Sequence, residues 1–92
     1  MKIKDLITKD NWIKGAYSKN NRNEIVPLLD SDATKFCLYG WIRKVYGENM
    51  EKYSKICRKV IEYTDCGLIE SWNDYSERKF KDVKKLVEKL NI

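Results

Sequence analysis

The sequence predicts one mainly α domain spanning 1–92, with three or four helices around a central helix at about 32–46 and a small β-hairpin at about 16–27. Three observations predict it. Apolar residues recur at helical spacing in four separate stretches. Asp, Asn and Gly stand where those stretches begin and end. The polar interruption between them, "GAYSKNNRNEIVP", has the turn-rich tip and short flanks of a hairpin or extended loop.

Ile3, Leu6 and Ile7 fall at i, i+3, i+4 and predict a short first helix that stops before Asp10 and Asn11. Gly15 then opens the hairpin, whose tip is Lys19 to Asn23 and whose flanks are Ala16 to Ser18 and Glu24 to Val26. A two-stranded ribbon is weak alone, so it is expected to lie on the helices.

"DSDATKFCLYGWIRKVYG" is the clearest helix: Ser31 or Asp30 can cap it, and Asp32 suits the positive helix start. Ala33, Phe36, Cys37, Gly40 and Trp41 form one apolar stripe, which Leu38, Tyr39, Ile42, Val45 and Tyr46 widen almost all the way round. A helix apolar on most sides is covered on most sides, which places it at the centre. Gly40 is costly in a helix and sits on the stripe, where it admits close approach of another backbone or a Trp.

Gly47, Glu48 and Asn49 make a turn into a third helix that carries Met50, Tyr53, Ile56, Cys57, Val60, Ile61 and Thr64 on its apolar side. Gly67 is placed to end it as a left-handed cap. The last helix, about 79–90, has Phe80, Val83, Leu86, Val87 and Leu90 on one face and lysine on the other.

The 42% apolar content and eleven aromatics are those of a folded globule. Ninety-two residues allow one core and about one site. No run approaches the ~20 apolar residues of a membrane span, and "MKIKDLITKD" lacks the apolar region of a signal peptide, so a cytoplasmic protein is expected. Three cysteines, Cys37, Cys57 and Cys66, without a C-x-x-C spacing suggest neither a disulfide framework nor a zinc site. The chain has no histidine, which removes the usual general base, metal ligand and Ser-His or Cys-His pair. Cys37 lies on the most apolar stripe and reads as a buried, inert thiol. The carboxylate pairs Asp30 with Asp32 and Glu70 with Asp74 are explained by capping or solvation rather than catalysis. No enzyme activity, cofactor or metal is implied.

The net charge of +5 permits attraction to nucleic acid or to an acidic protein, although 15 of the 19 cations are Lys, a bias that an A+T-rich genome also produces. Lys52, Lys55 and Lys59 on the third helix and Lys81 and Lys85 on the last are the candidate nucleic-acid contacts. Glu51, Glu62, Asp82 and Glu88 interleave with them, which predicts paired, solvated faces and only non-specific binding.

"LIESWNDYSERKF" places Trp72, Asn73 and Asp74 side by side between two helices. As a structural hinge, Trp72 would reach the core from an extended segment with Leu68 and Ile69, while Asn73 and Asp74 capped the last helix. As a site, Asn73, Asp74 and Arg78 would project beside Trp12 and bind a partner or small polar ligand.

"NWIKGAYSKNN", "DATKFCLYG" and "WNDYSERKFKDV" together resemble a family of small bacterial and phage proteins known only as a domain of unknown function. Its members carry a Trp-x-x-Gly-Ala segment, an Ala-x-x-Phe/Trp-Cys-Leu-x-Gly helix, and Trp-Asn-Asp followed by Arg-Thr and a Glu-Val helix start. The resemblance covers residues 12–83 and singles out chiefly apolar residues and glycines, with Trp12, Asn73, Asp74 and Arg78 as the polar or amphipathic exceptions. Trp41 stands where the family usually has alanine. Lys79 stands at its capping threonine, which moves the expected cap back to Ser76 or Asp74. The resemblance implies a phage or mobile-element setting, and hence a non-enzymatic inhibitor that binds and blocks a host protein, such as an anti-CRISPR protein. A weak nucleic-acid or nucleotide binder is the alternative, and a homodimer stays open.

Overall fold

In the computed structural model, which describes residues 1–92, the chain forms α1 (Ile3–Leu6), β1 (Ser18–Lys19), β2 (Lys35–Phe36), α2 (Leu38–Tyr46), α3 (Met50–Thr64), α4 (Ile69–Asp74) and α5 (Phe80–Leu90). The fold is mainly α with one two-stranded antiparallel sheet, as the sequence predicts, and α2 is the central helix. It packs against α1, α3, α4 and β2. Leu38 and Ile42 of α2 are completely buried, as are Ile3 of α1, Val60 of α3, and Val83, Leu86 and Val87 of α5.

The predicted stripe Ala33, Phe36, Cys37 and Trp41 is buried throughout, but the helix begins at Leu38 rather than at 32. Residues 34–37 are extended because their amides are claimed by another segment. Thr34 N–H donates to Lys19 O at 3.0 Å, Phe36 N–H to Asn11 O at 2.9 Å and Cys37 N–H to Tyr17 O at 3.2 Å. Asp30 therefore caps nothing helical; its carboxylate accepts from Asp32 N–H at 2.8 Å in a local turn. The cap of α2 is Cys37, whose Sγ accepts from Gly40 N–H at 3.3 Å.

The hairpin expected within 16–27 is reduced to a single bridge, Lys19 to Ile25, and the ladder of β1 runs instead to β2, with Ser18 opposite Phe36 and Lys19 opposite Lys35. Its tip is organised by Asn20, whose Oδ1 accepts from the amides of Arg22 and Glu24 and whose Nδ2 donates to Glu24 Oε1. Asn23 takes the left-handed conformation there at φ 62°.

At the end of α3 the left-handed position belongs to Asp65, at φ 52°, two residues before the Gly67 that the sequence puts forward. Residues 69–74, expected to be extended, form α4. The last helix keeps its N-cap at Lys79 rather than moving it back to Ser76 or Asp74, because Asp82 reaches back to accept from Lys79 N–H at 2.9 Å. Asp5 does the same for Lys2 at α1. The chain ends are drawn together at Ile92, whose carbonyl accepts from Ile3 N–H and from the Tyr46 hydroxyl.

Trp41 belongs to the core: it is 6% exposed and meets the Phe36 ring edge-on at 4.9 Å. Gly40 does admit a backbone, since a Cβ there would collide with the carbonyl oxygen of Tyr17 and press on Phe36 and Leu28. Gly40→Ala is expected to destabilise the protein by about 1 to 3 kcal/mol in urea unfolding despite alanine's better helix propensity, because α2 and the Tyr17 backbone must part.

Candidate functional site

The amide of Asn73, on α4, is fully buried and uses both its atoms. Oδ1 accepts from the Trp12 indole Nε1–H at 2.7 Å and from Leu38 N–H at 2.9 Å, at the start of α2. Nδ2 donates to Ile13 O at 3.0 Å and to Asp74 Oδ1 at 2.9 Å. Asp74 Oδ1 accepts in turn from Gly15 N–H at 3.0 Å. One side chain thus ties α4, the 12–15 segment and the first turn of α2.

This corrects the hinge reading of the loop and takes Asn73 out of the site reading. Asn73 and Asp74 do not cap α5, and Asn73 presents no atom to a partner. Trp72 is half-buried rather than a core anchor, and Leu68 is 58% exposed. The Arg78 guanidinium lies 3.9 Å from the Trp72 ring centroid, and its Nε–H donates to Trp72 O at 2.8 Å, so Arg78 pairs with Trp72 and not with Asp74. Trp12, Asn73 and Asp74 are brought together as the sequence suggests, in a network centred on the buried Asn73 amide, with Trp12 half-buried and Asp74 exposed. Nearby, Lys14 Nζ donates to the carbonyls of Tyr75 and Ser76, closing the loop over the 12–15 segment.

What that network holds in place is an apolar surface that the sequence reading passed over. A concavity of about 390 Å³ runs along Ala16, Tyr17, Ile25, Val26 and Leu28, with Cys37 among its lining residues and Glu70 as its one charged side chain. A second, of about 300 Å³, shares Tyr17 and Glu70 and continues over Tyr39, Tyr53, Ile61 and Leu68. The tyrosines form a ladder, with Tyr17 to Tyr39 ring centroids 5.5 Å apart, Tyr39 to Tyr53 6.4 Å apart, and the last two hydroxyls hydrogen-bonded at 2.7 Å. Tyr17 is 50% exposed and Ile25 73%. The Glu70 carboxylate, first, and partial desolvation, second, hold the Tyr17 hydroxyl above its ordinary pKa. The available signal was "IVPLL", an apolar run without helical or strand period, too short for a helix and bounded by Glu24 and Asp30.

The candidate lysines separate. Lys55 is ion-paired to Glu51 at 3.5 Å, and Lys52 lies over the Tyr46 ring at 5.3 Å. Lys81 and Lys85 instead line a concavity on α5 with Lys84 and Lys89, where Lys59 has no part. Asp82, expected to neutralise this face, serves as the helix cap.

All three cysteines are free thiols. Burial pushes the Cys37 thiol up to about 11, against hydrogen bonds from the Gly40 and Tyr39 amides that favour the thiolate. Burial also raises Cys57 and Tyr53. No three His, Cys, Asp or Glu side chains come together to hold a metal ion, and no helix is long and apolar enough to cross a membrane.

The geometry defines a class: a small mainly α scaffold whose interior is laced by one amide and whose exterior offers an apolar groove and a separate basic face. The chain belongs to a family of unknown function, DUF6197, whose model matches residues 1–90. No curated protein and no solved structure matches it.

Asn73→Ala leaves an indole N–H and two peptide groups without their partner, and is expected to cost about 3 to 5 kcal/mol in urea unfolding. Trp72→Ala, at a half-buried site, is expected to cost less, about 1 to 3 kcal/mol.

For Cys37 the sign follows from its raised value. Below the ordinary thiol value of 9.0 both folded and unfolded chains are neutral there. Above it the unfolded chain ionises first, so stability falls until the folded thiol also ionises near 11. Unfolding titrations from pH 8 to about 11 are expected to show a shallower fall for Cys37→Ala than for the wild type. A thiol reagent is expected to label Cys66 before Cys37 in the native protein.

Proposed function

We propose that this chain is a non-enzymatic interaction protein that seats an apolar segment of a partner protein in the groove beside Tyr17. The observation that carries the reading is an apolar groove with exposed Tyr17, Ile25 and Leu68 at its edges and a single carboxylate, Glu70, inside, on a chain whose net charge is +5. A clustered apolar and tyrosine surface of this kind is what protein interfaces use. Glu70 gives it a preference for a segment that carries a lysine or arginine beside its apolar residues.

The partner we propose is a host protein met in the cytoplasm, a component of a defence system being the kind that the phage-like motifs suggest. Fixing the groove wall through Asn73 supports tight binding, because little ordering is left to be done on association.

The test is affinity capture from the native host followed by titration of the purified partner. One protein is expected to be retained by the wild-type chain at both low and high salt, and to bind Ile25→Asp and Glu70→Lys at least about tenfold more weakly. Both positions lie at the groove rather than in the core, so circular dichroism is expected to be unchanged. Equal binding by wild type and both variants would remove the groove as the site. Self-association abolished by Ile25→Asp would make the occupant a second copy of the chain.

A further inference from the structure

Five exposed lysines gather around one aromatic side chain at the start of α5. Phe80 lines two adjoining concavities. One holds Lys81, Lys84, Lys85 and Lys89, and the other holds Lys9, Lys79 and Trp12. The only carboxylate lining either is Glu88. Lys9, Lys79, Lys81, Lys85 and Lys89 are exposed, whereas Lys84 is half-buried with its ammonium donated to Lys4 O at 2.6 Å. None of the six is in an ion pair, since the chain's two pairs are Arg22 with Glu24 and Lys55 with Glu51.

This is the reverse of a neutralised helix face. Asp82, the acid that interleaves with Lys81 and Lys85 in sequence, is turned to the Lys79 amide. Lys81, Lys85 and Lys89 are four residues apart, so their stems recur about every 6 Å along the axis, the order of the spacing between successive phosphates on an extended strand. Beside this row stand the half-buried rings of Trp12 and Phe80, tilted at 49° with centroids 6.3 Å apart. A line of unpaired cations with aromatic rings at its edge matches a single strand, whose backbone takes the charges and whose unpaired bases take the ring faces. A duplex offers the same charges but keeps its bases stacked inside.

We propose that α5, with Phe80 and Trp12 at its start, is a binding face for single-stranded nucleic acid. It shares no lining residue with the apolar groove and stands independently of the protein-binding reading.

The test is fluorescence anisotropy of the full chain with a labelled twelve-residue oligothymidylate, an unlabelled hairpin duplex and a polyphosphate serving as competitors. Binding is expected at low salt, with a log–log salt slope of about −2 to −4 for three to five phosphate contacts on a single strand. Lys81→Glu with Lys85→Glu is expected to weaken it at least about tenfold and to flatten the slope. Phe80→Leu, which keeps an apolar side chain over the core, is expected to lose about fivefold or more with the slope unchanged, the signature of a lost stacking partner. Lys52→Glu with Lys59→Glu, and Ile25→Asp, are expected to leave binding near the wild-type level.

Absence of salt-sensitive binding would overturn the proposal. So would loss of binding equally from the Lys52 and Lys59 pair, which would mean that net charge alone acts. Competition by duplex or polyphosphate as strong as by the single strand, with Phe80→Leu silent, would overturn the single-strand assignment. None of these outcomes depends on the groove, and loss of partner capture by Ile25→Asp with oligonucleotide binding intact would separate the two surfaces.

Discussion

The carboxamide of Asn73 is the constraint on which the rest of the arrangement rests. It is completely buried, and it makes two bonds as acceptor and two as donor, to Trp12 and Ile13, to the start of α2 and to the neighbouring Asp74. Only an amide offers both polarities at that spacing in a neutral group. A carboxylate would bring a second negative charge against Asp74, and an apolar side chain would leave the Trp12 indole, the Leu38 amide and the Ile13 carbonyl unanswered. The position of the 12–15 segment, the start of α2 and the angle of α4 are therefore not independent choices.

From that junction the chain between Asn11 and Lys19 is laid against 34–37, with Ser18 and Lys19 paired to Phe36 and Lys35 as strand. Competition for amides decides this. A residue such as Phe36 can complete a helical turn or a ladder but not both, and the partner strand is already fixed in place. The Tyr17 carbonyl then lies over Gly40, where only a missing Cβ allows α2 to come so close. The same contact positions the backbone beside the Tyr17 ring, so the wall of the apolar groove derives its rigidity from the buried network behind it.

The charged surface is organised by a different economy. On α3 the acids are available to the lysines, and Lys55 has Glu51 one turn before it. On α5 the first-turn acid, Asp82, is occupied at the helix start, where the lysine at the N-cap has no side-chain acceptor to offer. Two helices of similar composition thus differ in which of their lysines stand in an ion pair.

The sequence by itself determined the mainly α class, the centrality of a helix placed at about 32–46, which the structure trims to Leu38–Tyr46, the burial of Phe36, Cys37 and Trp41, and the apolar face of α5. Each follows from side-chain periodicity, which depends on a residue's near neighbours alone. It also brought Trp12, Asn73 and Asp74 to notice as a set. Only the tertiary structure decided that the Asn73 amide of this set faces inward, that 34–37 is extended rather than helical, that Tyr17, Ile25 and Glu70 share a groove, and that the α5 lysines stand unpaired. Those outcomes turn on hydrogen bonds and charges matched across dozens of residues, Trp12 to Asn73 and Tyr17 to Cys37 among them. A local pattern is silent on them, because a polar group's partner is set by which distant segment arrives beside it, and not by its own place in the chain.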